Sequence, residues 1–213
     1  MINLKTFIFN PFQENTYVLN DESKECIIID PGMYTSEEQQ ELDNYIKLNQ
    51  LVPKAIVNTH CHVDHVLGCR YLKNKYNIPF YIHKPELPVL EDAVRFGEFF
   101  GLELEKPPPP DFFLTEEQEY CFGNSTLQIL HVPGHSEGSV ALYSITDNLI
   151  LTGDVLFYGS IGRTDLAGGN YNTLINSIQE KIMPLPKNTV VFPGHGPKTT
   201  IQHEYDTNPF LQR

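Results

Sequence analysis

The chain has 213 residues, 40% of them apolar and none of them tryptophan, which is enough for one large domain spanning 1–213 and gives no sign of two separate cores. Its 27 acidic and 15 basic residues leave a formal charge of −12, which excludes the basic surface that nonspecific binding to nucleic acid or to an anionic membrane requires. None of the four cysteines forms a C-x-x-C pair and no segment reaches the length of a membrane span, so a reducing cytoplasm, without a nucleic-acid or membrane partner, is expected.

Met1 to Tyr17 carries Asn10, Pro11, Gln13 and Glu14 where a signal peptide would have its apolar stretch. Leu4 to Phe9, Thr16 to Leu19 and Cys26 to Ile29 are short, rich in aromatic and β-branched residues and separated by turn formers, a pattern that predicts an antiparallel meander. Ile27-Ile28-Ile29 reads as a strand covered on both faces. Asp30, which ends it, is either a plain turn residue or a carboxylate that orients a ligating imidazole. Ser36-Glu37-Glu38-Gln39 fits a capping box, and Leu42, Tyr45 and Ile46 follow at helical spacing to about Asn49. After Pro53, the apolar run from Ala55 ends in His60-Cys61-His62-Val63-Asp64-His65. In an extended backbone His60 and His62 share a face, and Asp64 and His65 follow around a turn, so four potential ligands converge. Imidazole and carboxylate donors suit zinc, with iron or manganese as alternatives, whereas calcium or magnesium would draw more oxygen ligands. Val66, Cys69, Leu72 and Tyr76 then predict a helix.

Phe80-Tyr81-Ile82 predicts a strand ending at His83, which reads as an ordinary surface histidine. Glu86 to Phe100 is expected to be partly helical, and Pro107 to Pro110 form a stiff extended segment. With Phe96, Phe99, Phe100, Phe112 and Phe113 around it, this stretch is either a spacer or an apolar wall beside a site. Tyr120 to Phe122 and Thr126 to Leu130 predict a hairpin around Gly123-Asn124-Ser125, followed by Gly134-His135. Strands are predicted at Ser139 to Tyr143 and Leu149 to Thr152, the latter running into Gly153-Asp154. An amphipathic helix carries Leu174, Ile175, Ile178 and Ile182, and Thr189 to Phe192 is the last predicted strand, ending at Gly194-His195-Gly196. His60 and His62, His135, Asp154 and His195 each follow a predicted strand, and strand ends along one sheet edge can meet at one site.

His60-x-His62-x-Asp64-His65, Gly134-His135-Ser136, Gly153-Asp154 and Gly194-His195-Gly196 resemble, in order and over nearly the whole chain, the metal motifs of the metallo-β-lactamase superfamily. Gly159-Ser160-Ile161-Gly162-Arg163-Thr164-Asp165, Pro193 to Thr200 and Asn208-Pro209-Phe210 are similar to the short glyoxalase II-like hydrolases of that superfamily. The resemblance implies an α/β fold, an αβ/βα sandwich of two mixed β-sheets packed face to face with helices outside. It also implies two divalent metal ions, one held by His60, His62 and His135, the other by Asp64, His65 and His195, with Asp154 bridging. Cys61 is expected to point away from the metals, and Arg163 with Asp165 to form an ion pair beneath the site. About 18 residues follow His195, where full-length glyoxalase II carries a helical domain that helps hold glutathione. Ala167, Asn170 and Gln202-His203 depart from the family pattern, and His203 is a further candidate donor.

The activity implied is hydrolysis of a small-molecule thioester such as S-lactoylglutathione. A metal-held hydroxide, available because coordination lowers the pKa of water to about 7, serves as the nucleophile, and Asp64 is the residue expected to orient it. A thiolate leaving group needs little acid catalysis. The rival reading within the superfamily is a mononuclear iron persulfide dioxygenase, which the Thr-His-Cys-His segment and Gly162-Arg163-Thr164-Asp165 also resemble.

Overall fold

The computed structural model describes residues 1–116 and 118–212. The chain divides into two compact units, Met1–Leu114 with Cys121–Ser125, and Thr115–Tyr120 with Thr126–Arg213.

The first unit begins with β1 (Asn3–Phe9), β2 (Glu14–Asn20) and β3 (Glu25–Ile29), paired antiparallel as the meander expected. The turn between β1 and β2 puts Asn10 and Gln13 at φ 54° and 57°. All seven residues of β2 are buried, as are Cys26 to Ile29. Helix α1 (Ser36–Leu48) follows, then β4 (Val52–Val57), α2 (Cys69–Tyr76), β5 (Phe80–His83), α3 (Leu87–Phe99) and β6 (Phe112–Leu114). The sheet runs in the order β1-β2-β3-β4-β5-β6, parallel from β3 onward. Phe7, Ile28, Ile56, Leu72, Phe80 and Leu90 belong to its core, each contributing roughly 1.5–3 kcal/mol by leaving water.

Three expectations are corrected in this unit. The capping box is built on Thr35, one residue earlier than expected: the Thr35 hydroxyl accepts from Glu38 N–H and the Glu38 carboxylate accepts from Thr35 N–H. Two adjacent hydroxyl residues made the register ambiguous, and the acid three positions on decides it. Pro53 lies inside β4, not before it, where the register against β3 shifts between Cys26 and Ile27 and absorbs the missing donor. Strand β6 was not foreseen, because three residues after a tetraproline carry no readable period.

In the second sheet the order is β14-β13-β10-β9-β8-β7. It comprises β7 (Glu119–Phe122), β8 (Ser125–His131), β9 (Val140–Ser144), β10 (Leu149–Gly153), β13 (Val190–Pro193) and β14 (Thr199–Thr200). The β10–β13 pair is parallel, while β8–β9, β9–β10 and β13–β14 are antiparallel. Both sheets are therefore mixed, as the resemblance implied. Between β10 and β13 in sequence lie a small hairpin, β11 (Leu156–Phe157) and β12 (Ser160–Ile161), and α4 (Tyr171–Ser177), which continues as a π-helical turn over Ile178–Ile182. Asn170, one of the departures from the family pattern, caps α4 by accepting from Thr173 N–H at 3.0 Å. Strand β14 corrects the expectation that Thr189 to Phe192 is the last strand, and helix α5 (Ile201–Thr207) follows it. Glu204, fully buried in α5, accepts from Thr199 Oγ1, Gly159 N and Asn208 Nδ2 and ties this end of the chain to the β11–β12 turn. Among the described residues no helix is long and apolar enough to cross a membrane.

Asp21, in the β2–β3 turn, accepts from Ser23 N and Oγ, Asn124 N and Ser125 Oγ at 2.6–2.9 Å. Burial opposes its ionisation, but these bonds from Ser23, Ser125 and Asn124 outweigh it and bring the carboxyl down to about 2. The folded pKa lies below that of the unfolded chain, so the stabilisation is complete above about pH 4 and is lost as the pH falls to about 2. It amounts to roughly 2 kcal/mol at neutral pH. Metal-free Asp21→Asn is expected to melt several degrees lower than the parent at pH 7, and thermal unfolding followed down to pH 2 should show the two curves converging.

Candidate metal centre

In the first unit β4 ends at Val57, and the candidate ligand residues follow the strand, as expected. They occupy the loop that follows and a 3-10 turn over Val63–His65. It is the loop that gathers them. The His60 and His62 rings stand 4.9 Å apart at 88°, and the His60 and His65 rings 4.1 Å apart. Donor atoms of His60 and His62 lie within 4.8 Å of each other, as do those of Asp64 and His65.

Side chains from elsewhere in the unit hold this loop by its backbone. Asn58, fully buried, donates its amide to the carbonyls of His60 at 3.3 Å and His65 at 2.7 Å. Glu86, also fully buried, accepts the Cys61 N–H at 2.7 Å. Asn10 donates to the carbonyls of Gly32 and Asp64. Cys61 itself turns into the apolar core, as expected, and burial pushes its thiol up. Sequence reasoning missed Asn58, Glu86 and Asn10; the only trace was an amide closing the apolar run of β4 and an acid placed before an apolar helix.

Asp30 fills both roles left open for it. Its φ of 49° makes it a left-handed turn residue, and its Oδ2 stands 3.2 Å from His65 Nδ1. Thr59 fixes that carboxylate through N–H at 2.7 Å and Oγ1 at 2.6 Å. With Nδ1 facing Asp30, His65 turns Nε2 toward Asp64 Oδ2, 3.6 Å away. Glu14 Oε1 lies 3.8 Å from the same Nδ1. Burial raises the Glu14 carboxyl well above its ordinary range, against the pull of His65.

The second unit holds His135, Asp154 and His195. Gly134, at φ 131°, leaves no room for a side chain, since a Cβ would stand 2.3 Å from Leu174 N. His135 donates Nδ1–H to the Arg163 carbonyl at 2.8 Å, which leaves the Nε2 lone pair for coordination. Nε2 lies 3.7 Å from Asp154 Oδ2, and His195 Nε2 lies 3.6 Å from the same oxygen. Gly162 passes so close that a Cβ would stand 1.8 Å from the Asp154 carbonyl. Arg163 and Asp165 do form a two-pronged pair at 2.7 Å, but at the surface, with 57% and 67% of their side chains exposed, and not beneath a site as expected. The backbone of Arg163, and not its guanidinium, touches the ligand. His203 stacks on Tyr158 at 4.5 Å and caps nothing metallic. Among the described residues, no group of donors at metal-binding distances includes Cys61, His83 or His203.

The donor set fits a transition-metal or zinc ion. Ligands at about 2.1 Å from a tetrahedral ion stand about 3.4 Å from each other, and the imidazole-to-carboxylate separations of 3.6–3.7 Å in both units approach that spacing. They are too long for hydrogen bonds. Replacing His135 by Ala is expected to lower metal content together with activity. Glu86→Ala, which strands the buried Cys61 N–H, should weaken metal binding roughly 10- to 100-fold in a competition titration, whereas Glu86→Gln, which keeps an acceptor, should recover most of it. Cys61→Ser and His83→Ala should leave metal content unchanged.

Comparison with known proteins finds relatives over nearly the whole chain. The profile of the metallo-beta-lactamase superfamily matches residues 9–195. A probable metallo-hydrolase, YqgX, of Bacillus subtilis is 42% identical over 94% of this chain and 93% of its own length. Hydroxyacylglutathione hydrolase GloC of Haemophilus influenzae is 34% identical over 99% and 98%. Among solved structures, BLEG-1 B3 metallo-beta-lactamase superposes with a TM-score of 0.91 at 41% identity, covering 99% of this chain and all of that one. TTHA1623 in a di-iron-bound form gives 0.89 at 38%, covering 97% and 100%. With two mixed sheets, their helices and ordered sets of histidine and aspartate donors, the chain belongs to the metallo-beta-lactamase superfamily.

Proposed function

We propose that the protein is a metal-dependent hydrolase of acyl thioesters. The observation that carries the reading is Asp154, one carboxylate oxygen of which faces two imidazole Nε2 atoms at 3.6–3.7 Å, the arrangement a carboxylate shared between two cations would adopt. In this reading His60, His62 and His135 hold one divalent ion and Asp64, His65 and His195 the other, with Asp154 between them. When bound, such a pair lowers the pKa of a water to about 7 and polarises an acyl carbonyl.

The chain's own residues do the rest. Asp30 and the Arg163 carbonyl face the His65 and His135 rings at Nδ1, which turns Nε2 toward Asp64 in the one and Asp154 in the other. Asn58 and Glu86 hold the loop in place, so little reorganisation accompanies the reaction. Asp64 is assigned a second role, orienting the attacking water. A departing thiolate, with a pKa near 8.5, requires no dedicated acid. The similarity to GloC supports a thioester substrate, and zinc is the ion proposed, with iron the alternative suggested by the di-iron neighbour.

The test is a steady-state comparison of acyl thioesters, S-lactoylglutathione included, in air and under nitrogen, with glutathione persulfide and a cephalosporin as competing substrates and the metal content of each preparation measured. Thioester hydrolysis equal in both atmospheres is the expected result. Oxygen uptake on the persulfide without hydrolysis would replace the reading with a dioxygenase, and preferential opening of the cephalosporin with a β-lactamase.

A further inference from the structure

The Phe-rich stretch falls into two separate places. Phe112 and Phe113 sit on the edge strand β6, where Phe112 stacks on Tyr81 at 5.1 Å. Phe99 and Phe100, at the end of α3, instead meet Phe12 from the β1–β2 turn. The Phe12 and Phe100 rings pack edge to face at 5.3 Å, as do those of Phe99 and Phe100 at 5.2 Å. The row is largely in water, with Phe99 82% and Phe100 47% exposed. Three rings held in line at the surface form a contiguous apolar patch, which has a use when something apolar covers it.

The patch is tied to the metal loop. Asn10 bonds the Asp64 carbonyl through its amide at 3.0 Å, while its Oδ1 accepts Phe12 N–H at 2.9 Å. The Phe12 N–H therefore stands within about 8 Å of the Asp64 carbonyl, two hydrogen bonds and one amide group away. The other end is rigid as well. Residues 102–104 pack onto α3 so closely at Gly97 that a Cβ there would stand 2.0 Å from Leu104 Cδ2. Glu98 and Glu103 flank the Phe99–Phe100 pair in sequence and are exposed. Of the cations around this segment, Arg95 is paired with Asp92 and Arg70 with Glu105. An acidic rim repels polyanionic thiol carriers and anionic bilayers, and leaves the uncharged acyl part of a thioester as the fitting occupant.

We propose that Phe12, Phe99 and Phe100 form a shelf beside the metal loop that binds the acyl chain, so that the protein favours thioesters of longer apolar acyl groups over short polar ones. The shelf deepens the thioesterase reading and rests on it for the reaction, but its binding is measured without turnover. The probes are S-(2-oxoalkyl) ethers of N-acetylcysteamine with two to ten acyl carbons, non-hydrolysable and neutral, titrated calorimetrically into metal-free protein. Affinity is expected to rise up to about fourfold per methylene until the shelf is filled. In Phe99→Ala/Phe100→Ala the rise should be lost, and in Phe113→Ala it should persist. On metal-loaded protein, kcat/KM for the matching thioesters should follow the same order, with a stronger dependence on the acyl group than on the thiol. Chain-length-dependent binding that vanishes in the double variant supports the shelf even where turnover fails, so the two readings fail separately. Flat affinities, a rise that survives in the double variant, or sedimentation showing a dimer that the double variant abolishes would overturn it.

Discussion

The structure depends on one constraint: a loop that turns six ligand-bearing and apolar residues through a tight path leaves its backbone polar groups inside the protein, and each needs a partner. Asn58 supplies two donors for the carbonyls at the ends of the hexapeptide, and Glu86 supplies an acceptor for the N–H between them. Asn10 takes the carbonyl of Asp64. These bonds come from the residue that follows β4, from the approach to α3 and from the β1–β2 turn, so the sheet and its helices cannot shift without moving the loop. The rigidity of the site is a property of the whole first unit.

Two of the imidazoles, His65 and His135, are aimed the same way from Nδ1. His65 faces Asp30 and His135 faces the Arg163 carbonyl, and in both Nε2 is left toward a carboxylate. A charged partner and a neutral one do the same geometric work with different electrostatics: Asp30 adds negative charge behind its ring and makes it a better donor, while a carbonyl mainly fixes the tautomer. The close approach of Gly162 to the Asp154 backbone and of Gly134 to α4 shows how little space the second set has to move.

The ligand motif, the meander, the buried triple isoleucine and the main helices were all legible from spacing, because repeated burial of one face leaves a period in the chain. Elements of two or three residues left none: β6, β11, β12 and β14 exist because a neighbouring strand offers free backbone groups, and no residue pattern announces that. The surface position of the Arg163–Asp165 pair and the stacking of His203 on Tyr158 were equally invisible, since both depend on where the β11–β12 turn and α5 come to rest.

By itself the sequence singled out the residues proposed to carry the chemistry, since five histidines and two aspartates at ordered spacings following predicted strands supply donor types that suit a divalent transition metal or zinc. Only the tertiary structure decided what makes them a site. The partners of the ligand loop are Asn10, Asp30, Asn58 and Glu86, up to 54 positions away along the chain from the residue they hold, and ordinary in any local window. Their role arises from burial, which turns an unremarkable amide or acid into the partner of a backbone group withdrawn from water.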